Sequence, residues 1–479
     1  MREPEGDLSV PGQARPTPGV FVALAGAAFA LACTLLLLVS MRSFRNYALL
    51  GWAAAMGTAC LLRWPKAALY IMLLIGPLYD LTRACVFGKA ELIGAWQDVL
   101  VVTLALAAVV NLVGGRAPRL RFTWLDLAVM FYIGAYLFSV LMAPNFRVWF
   151  YGFRWSTLYA FMYLALKTYR FTDRELERVV RIIAITLVLS AGIGVTLLYM
   201  LGDKGYYMAM KVVGLEVMGR EDVYRWPATS ASSLVASAAF GLLLIISASY
   251  LLTRRVSLSA IAGSLVALYA IGLTLSRSGW VVGVGGVIAI IWAAGQQSRV
   301  KVQTIALIGL ALAVGLLVVL AVRPEFRAMA SLSYEGDNTR IASFSNVLVQ
   351  SVTKYPLGTG AGTAGAVADT AVGFAGLGGT DSVVGDSVSL AVLRDTGWPG
   401  FCAFVAIFVG FIDAARRAIR MSTGQTQLVA FVAFGFLAGS FLNLTNLVDV
   451  FPLKLYVWLF GALMVAIVEG RVTCAGDVP

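Results

Sequence analysis

Residues 256–296 read VSLSAIAGSLVALYAIGLTLSRSGWVVGVGGVIAIIWAAGQ. Two long apolar runs are joined here by a short turn, and Arg277 in that turn is the one charged residue of the stretch. Apolar runs of about 17–25 residues are long enough to cross the hydrocarbon core of a bilayer as helices. The stretch therefore predicts two consecutive membrane-spanning helices with a tight turn between them.

The composition of the whole chain agrees with this interpretation. Its 479 residues are 60% hydrophobic and 13% charged, against about 45–50% and about 25% in soluble domains. This predicts an integral membrane protein and excludes a disordered, collagenous or disulfide-stapled chain. The net charge of +12 does not by itself indicate nucleic-acid binding, because membrane proteins place Lys and Arg in cytoplasmic loops.

Apolar segments of this kind recur along the chain, and about fourteen of them predict an all-α polytopic protein. The segments lie near 18–40, 46–62, 67–82, 96–114, 124–143, 149–166, 182–201, 230–252, 256–275, 279–296, 303–322, 398–412, 426–444 and 455–469. The domain prediction is a single integral membrane domain over 1–479, with cytoplasmic tails at 1–17 and 470–479, a middle external loop at 202–229, and a large external loop at 323–397. The first segment is expected to be an anchor, because its leader is acidic and lacks the features of a cleaved signal peptide.

Clusters of Lys and Arg predict which side of the membrane each loop occupies. With the amino terminus placed in the cytoplasm, the main clusters all fall on the cytoplasmic side: Arg63/Lys66, Arg116/Arg119/Arg121, Lys167/Arg170/Arg174/Arg178/Arg181, Arg254/Arg255, Arg299/Lys301 and Arg416/Arg417/Arg420. Arg42 and Arg45 fall outside in this arrangement. They leave open the exact number of helices near residues 18–62.

The residue types that the chain lacks narrow its chemistry. It has no histidine, which removes the commonest general base and metal ligand, and its five cysteines show no CxxC spacing. No metal and no cofactor are therefore expected. Gly360-Ala-Gly362-Thr-Ala-Gly365 spells GxGxxG, but its predicted place in an external loop argues against a dinucleotide site. The glycines are expected to supply turns or close backbone approach.

Several arginines interrupt the apolar pattern at the predicted external face. Arg154 lies inside the start of a predicted helix, Arg277 occupies the tight turn, and the middle external loop carries Arg220 and Arg225. Charged groups at such positions are costly, so each is a candidate for function or for interfacial snorkelling.

The large external loop adds Arg340 and Asp386, although a solvated loop also carries charge. Several arginines converging on one side of a membrane suit recognition of a phosphorylated, membrane-held group, because Arg presents a rigid fork of donors to phosphate oxygens. The same donors stabilise charge on a departing phosphate. Asp386 is the natural candidate for a general base that takes the proton from an attacking hydroxyl.

Three stretches carry a family resemblance. They are Leu273-Thr-Leu-Ser-Arg277-Ser-Gly-Trp280, Arg340 followed by Lys354-Tyr-Pro-Leu-Gly-Thr-Gly360, and Asp386-Ser-Val-Ser-Leu390 through Asp395-Thr-Gly-Trp-Pro-Gly400. In their order and their shared external placement they resemble the bacterial O-antigen polymerase and O-antigen ligase superfamily. These glycosyltransferases act on undecaprenyl-diphosphate-linked sugars at the outer face of the cytoplasmic membrane.

The resemblance implies a C-type glycosyltransferase bundle in the bacterial inner membrane, with an outward-facing active site. It implies Asp386, Arg277 and Arg340 as catalytic residues. The implied diphosphate-binding residues are Arg154, Arg220 or Arg225, Arg277 and Arg340, and the family's middle-loop arginine matches either Arg220 or Arg225. The implied partners are the lipid-linked glycan, the lipid bilayer and a chain-length regulator, with no nucleic acid.

One departure separates the branches of the family. Its ligases carry a histidine where this sequence has Asp386-Ser387, which favours the polymerase branch. The alternatives are a ligase that transfers the glycan to another acceptor, and, from a different class, a flippase for lipid-linked oligosaccharides. Transporters usually place buried charge at the bilayer midplane, whereas the unusual residues here lie toward the predicted external side.

Overall fold

A computed structural model describes residues 62, 64–82, 96–115, 117, 118, 120–212, 219, 220, 223, 224, 226–230, 232–253, 257–296, 309, 313, 317, 335–364, 387–443 and 451–473. The chain divides into two compact units, Met1–Ala67 and Ala68–Pro479. The contacts reported below lie in the second unit.

The described residues form thirteen α-helices and two short strand pairs. The helices are α1 Pro65–Ile75, α2 Tyr79–Thr82, α3 Trp96–Val113, α4 Trp124–Phe138, α5 Phe146–Leu166, α6 Asp173–Val212, α7 Ser233–Thr253, α8 Leu258–Leu273, α9 Arg277–Gly295, α10 Glu335–Thr353, α11 Val388–Met421, α12 Gly424–Leu442 and α13 Leu453–Val468. The strands are β1 Phe171–Thr172, β2 Gly219–Arg220, β3 Val223–Tyr224 and β4 Val472–Thr473. β1 pairs in parallel with β4, and β2 pairs antiparallel with β3.

Within the described part of the chain, six helices are long and apolar enough to cross a membrane. They are Trp124–Leu141, Asp173–Gly202, Ser233–Thr253, Arg277–Gly295, Val388–Met421 and Gly424–Leu442, and Gln97–Val113, Leu258–Leu273 and Leu453–Val468 are shorter apolar helices. The prediction of an all-helical, multi-pass membrane protein is therefore confirmed. The number fourteen stays a prediction, because the segments near 18–40, 46–62 and 303–322 lie outside the described residues except for isolated positions.

Two predicted segments differ from the helices that form. The segment at 67–82 is interrupted after Ile75 by a 3-10 turn over Gly76–Leu78, where Pro77 lacks the amide that a continuous helix needs. The segment at 398–412 is the middle of a longer helix, α11, which begins at Val388 inside the predicted external loop. The apolar residues before Gly397 are helical because their amides are capped and their faces are buried.

Polar side chains fix where several helices begin. Thr123 and Asp126 form a reciprocal capping box at the start of α4. Asn145 Oδ1 accepts the Val148 amide at the start of α5, at 2.9 Å, and Ser387 caps α11. Such caps satisfy amides that have no partner within the helix. They therefore fix the residues at which α4, α5 and α11 begin.

Helix α7 is the centre of one group of helices. It packs against α6, α8, α9 and α12, and its apolar surface is buried around the whole circumference. Small residues allow the close approach to α9, since a Cβ at Gly279 would lie only 2.5 Å from the Ser237 carbonyl oxygen. A second group contains α3, α4, α5, α11 and α13 and includes an aromatic cluster of Tyr132, Phe411 and Trp458.

Contacts between helix termini define two ends of this unit. One end, which we call the charged end, contains Asp126, Lys167, Glu469 and Arg471. There Thr426 Oγ1 donates to Asp173 Oδ1 at 2.6 Å, and Arg416 lies over Trp292. The opposite end, which we call the glycine-loop end, contains residues 356–364 and the turn between α4 and α5. The two segments meet where the Ala361 amide donates to Ser139 Oγ. The positive-inside rule predicts that the charged end is cytoplasmic.

Candidate functional site

The glycine loop, residues 356–364, lies against a break in α11. Gly397 has φ +65° inside this helix, and Pro399 has no amide to donate to the Asp395 carbonyl. The loop supplies the missing partners, because Thr359 N donates to Arg394 O at 2.7 Å and Gly360 N donates to Asp395 O at 3.1 Å. The break and the loop therefore complete each other's backbone hydrogen bonds.

The side chain of Asp395 fastens the far end of the same loop. Its carboxylate accepts the amides of Gly362, Thr363 and Ala364 at 3.2, 3.2 and 3.0 Å, and the Thr363 hydroxyl at 3.2 Å. Asp395 is 3% exposed. A buried carboxylate that accepts several amides is held in one orientation, and it holds the amides in return.

The glycines of this loop permit close approach and left-handed backbone conformations. Gly360 and Gly362 have φ values of +99° and +82°, and side chains at these positions would collide with Ala143 and Val148. Ala361 N donates to Ser139 Oγ at 3.1 Å. The GxGxxG pattern thus has the structural role that the sequence predicts, at its first two glycines; Gly365 lies outside the described residues.

The glycine loop follows α10 in the chain and contacts α11, so it lies near two of the predicted catalytic residues in the sequence. Val347 of α10 packs with Ala364, Leu390 and Leu393 in one apolar cluster. Arg340 lies in α10, although its side chain is outside the description, and Asp386 lies outside the described residues directly before the Ser387 cap. The second and third family-like stretches are thereby brought into direct contact.

Arg154 makes a two-point ion pair with Asp98, across the interface of α5 and α3. The distance from Nε to Oδ1 is 3.0 Å and that from Nη2 to Oδ2 is 2.8 Å, and the guanidinium carbon lies 5.9 Å from the ring centre of Tyr151. The side chains are 32% and 21% exposed, respectively. A charged pair on otherwise apolar helices is a functional candidate by default.

Other polar groups surround this pair. Lys454, in the first turn of α13, donates from Nζ to the carbonyl oxygen of Trp155 at 2.8 Å, one residue beyond Arg154. Tyr159 donates to Gln97 Oε1 at 2.8 Å, and Gln97 precedes Asp98. We call Asp98, Arg154 and Lys454 the three-helix cluster, since α3, α5 and α13 each supply one member.

Arg277 is the first residue of α9 and follows a strained turn. Leu275 has φ +49°, a conformation that is unusual for a side chain of this type. Arg277 is half-buried, and its helix packs against α7 and α12. Trp292, near the last turn of α9, lies at the charged end, so Arg277 begins α9 at the opposite end. Arg154 belongs to the other group of helices and lies two residues after Gly152, which closely approaches the backbone of Gly362 in the glycine loop.

The middle loop is described only in part. Arg220 lies in β2 opposite Val223, with its side chain outside the description, and Arg225 is outside the described residues. The next residue, Trp226, stacks on Phe240 of α7 at 5.9 Å. Burial raises the pKa of Tyr206, whose hydroxyl donates to Ala228 O at 2.5 Å. These contacts anchor the chain immediately after Arg225.

Sequence reasoning identified Arg154 but missed Asp98, Asp395 and Lys454 as partners in this region. The available signal for Asp98 was an acidic residue at the start of an apolar run. The corresponding signal for Lys454 was a single cation at the start of such a run. Asp395 was noted only as part of a motif. No protein-family model matches this sequence, and no curated protein matches it either, so the family resemblance of its motifs stays a prediction.

Proposed function

We propose that this protein polymerises oligosaccharide repeat units carried on undecaprenyl diphosphate, at the outer face of the bacterial cytoplasmic membrane. The observation that carries the proposal is the Arg154–Asp98 pair on apolar helices, toward the same end as the glycine loop and the start of α9. A guanidinium held at that position is suited to a diphosphate at the membrane surface. The order of the family-like motifs supplies the reaction type.

The reaction joins one lipid-linked repeat to another. A sugar hydroxyl oxygen attacks the anomeric carbon of the donor, the bond from that carbon to the diphosphate oxygen breaks, and undecaprenyl diphosphate leaves with the electron pair. Asp386 takes the proton of the attacking hydroxyl. Arg277 and Arg340 stabilise the charge that develops on the leaving diphosphate, and Arg154 with Arg220 or Arg225 binds it. A chain-length regulator is the protein partner of this proposal.

Two other functions would use a similar membrane bundle. A ligase shares the leaving group but needs a different acceptor, and Asp386-Ser387 stands where the family's ligases carry histidine. A flippase is less favoured, because Arg277 stands at the first position of α9, whereas transporters usually place their buried charges at the bilayer midplane.

Lipid-linked glycans in cells lacking this gene distinguish the three functions. Mass spectrometry of extracted glycolipids counts the repeats on each undecaprenyl diphosphate. Single repeats at the outer face are expected for the polymerase. Full-length polymer stranded on the lipid would indicate a ligase, and single repeats confined to the inner leaflet would indicate a flippase.

The Arg277→Ala variant tests the proposed chemistry in the same cells. We expect loss of the polymer by about a hundredfold or more, since one donor to a developing oxyanion contributes about that factor, while the protein stays in the membrane. Arg417→Ala, which removes an exposed arginine near the charged end, is the matched control and should leave the polymer unchanged. Full polymer in the Arg277→Ala variant would remove this arginine from the mechanism.

A further inference from the structure

We infer that Asp98 is a positioning residue for the diphosphate site, acting through Arg154, and that Lys454 supplies a second cation beside it. This inference rests on the proposed function and deepens it, because neither residue belongs to the family-like motifs. The three-helix cluster would then form one wall of the diphosphate site.

The geometry of the pair supports a positioning role. Both carboxylate oxygens of Asp98 are used, one by Nε and one by Nη2 of Arg154, and this two-point contact fixes the plane of the guanidinium. Two of the five N–H donors of Arg154 are committed to Asp98 in this arrangement. The edge that carries Nη1 points away from the carboxylate and presents further donors to an anion.

The exposure of the pair makes it accessible to a ligand. The Arg154 side chain is 32% exposed and that of Asp98 is 21% exposed, whereas Asp126 and Lys167 at the charged end are 3% and 6% exposed. A fully buried pair is closed to a ligand, whereas a partly exposed pair keeps part of its surface open. The partial exposure leaves the guanidinium within reach of a ligand at the membrane surface.

The charge balance of the cluster favours an anion. Arg154 and Lys454 each carry a positive charge and Asp98 carries one negative charge, so the cluster has a net positive charge. Lys454 Nζ is held to the Trp155 carbonyl, which keeps its ammonium next to the helix turn that carries Arg154. Two cations on neighbouring helices suit the two phosphoryl groups of a diphosphate.

The test measures binding of undecaprenyl diphosphate to the full-length protein in detergent, with undecaprenol as the phosphate-free control lipid. Arg154→Ala and Lys454→Met should each weaken binding of the diphosphate but not of undecaprenol. Asp98→Asn should weaken diphosphate binding about tenfold, because an amide cannot anchor the guanidinium at two points. Asp98→Glu keeps the charge but moves the guanidinium, and it should fail to restore the affinity.

Three further measurements separate positioning from structure. Asp413→Asn removes the carboxylate of an exposed pair with Arg417 and should leave the affinity unchanged. In the Arg154→Ala background, Asp98→Asn should add little further loss, since Asp98 acts through Arg154. The thermal unfolding midpoint of Asp98→Asn should stay close to that of the unmodified protein.

The outcomes distinguish this inference from the proposed function. If the unmodified protein binds the diphosphate lipid and Asp98→Asn binds it equally well, the positioning role is wrong while the proposed function stands. A drop in affinity that only accompanies a drop in the unfolding midpoint would also overturn the positioning role. If the unmodified protein does not prefer undecaprenyl diphosphate to undecaprenol, both this inference and the proposed substrate are wrong.

Discussion

Two buried aspartates toward opposite ends of the molecule are satisfied in different ways. Asp126, at the charged end, accepts from Lys167 Nζ at 2.6 Å, from the Thr123 amide at 2.7 Å and from the Tyr163 hydroxyl at 3.0 Å. Asp395, beside the glycine loop, accepts from three consecutive backbone amides and one hydroxyl. The aspartate at the charged end is thus held mainly by side-chain groups that include a cation, whereas the aspartate beside the glycine loop is held mainly by backbone amides.

The charged end extends this network to the end of α13. Lys167 Nζ also lies 3.2 Å from Glu469 Oε1, and Arg471 Nη2 lies 2.9 Å from Glu469 Oε2. Arg471 donates to the Lys167 carbonyl, and β1 and β4 pair directly beside these residues. Each of these four charged side chains forms an ion pair with at least one of the others. We therefore assign the network a structural role.

The difference shows which charged pairs of this molecule a ligand can reach. Because backbone amides hold Asp395, the glycine loop is fastened by those amides and one hydroxyl. At the same end, Arg154 and its partner Asp98 are 32% and 21% exposed, so a ligand can reach this pair. At the charged end, by contrast, Lys167 and its partner Asp126 are 6% and 3% exposed.

Breaking the charged end should have the largest effect on stability. Lys167→Met leaves Asp126 and Glu469 without the ammonium that lies between them, and removing one member of a buried ion pair costs about 3–5 kcal/mol. We expect a large fall in the thermal unfolding midpoint of the detergent-purified protein. Arg417→Met, which removes an exposed arginine whose partner Asp413 is also exposed, is the control and should change the midpoint little. Equal midpoints for the two variants would contradict the structural role of the charged network.

Removing the carboxylate of Asp395, which binds the glycine-loop amides, should lower stability by an intermediate amount, and the effect should be confined to that loop. Asp395→Ala leaves the amides of Gly362, Thr363 and Ala364 without their acceptor. Water that fills the space of the removed carboxylate can satisfy them in part, so we expect a total cost of about 1–3 kcal/mol, which is that of one buried donor without a partner. We expect faster hydrogen exchange at these three amides and faster proteolysis within the glycine loop. Asp395→Asn retains an acceptor oxygen and should show a smaller change. Unaltered exchange in Asp395→Ala would mean that the glycines alone hold the loop.

The smallest effect is expected at an exposed ion pair. Arg417→Ala removes the partner of Asp413 one helical turn away, and such pairs contribute about 0.3–0.5 kcal/mol. The midpoint should fall by an amount near the limit of measurement and should not differ from the unmodified protein in concentrated salt. A shift as large as that of Lys167→Met would mean that exposure does not decide the strength of these pairs.

The apolar runs made the fold class and most helices predictable, because a helix that crosses a membrane must be long and apolar wherever it occurs. The break at Gly397 was less accessible. Thr396, Gly397 and Pro399 stand inside an apolar region, and their effect on α11 depends on carbonyl partners from the glycine loop. A start at Val388 therefore could not be read from hydropathy.

The candidate site was predictable only where a single residue type was unusual. Arg154 stood out as a charge inside an apolar run, but its partner Asp98 lies 56 positions earlier in the chain, and no local pattern joins them. Asp395 and Asp386 are both carboxylates near glycines. The sequence does not reveal that the carboxylate of Asp395 is occupied by amides, since this depends on how the loop folds back.

The hydrogen bonds between the glycine loop and α11 also bear on whether a bilayer can accommodate the break in that helix. In hydrocarbon, each carbonyl without a partner costs several kcal/mol, so the carbonyls of Arg394 and Asp395 could not enter the bilayer alone. With the loop amides bound to them, the break at Gly397 becomes compatible with a low-dielectric surrounding. The depth at which α11 can sit is consequently a joint property of the helix and the glycine loop, and it would shift with any movement of that loop.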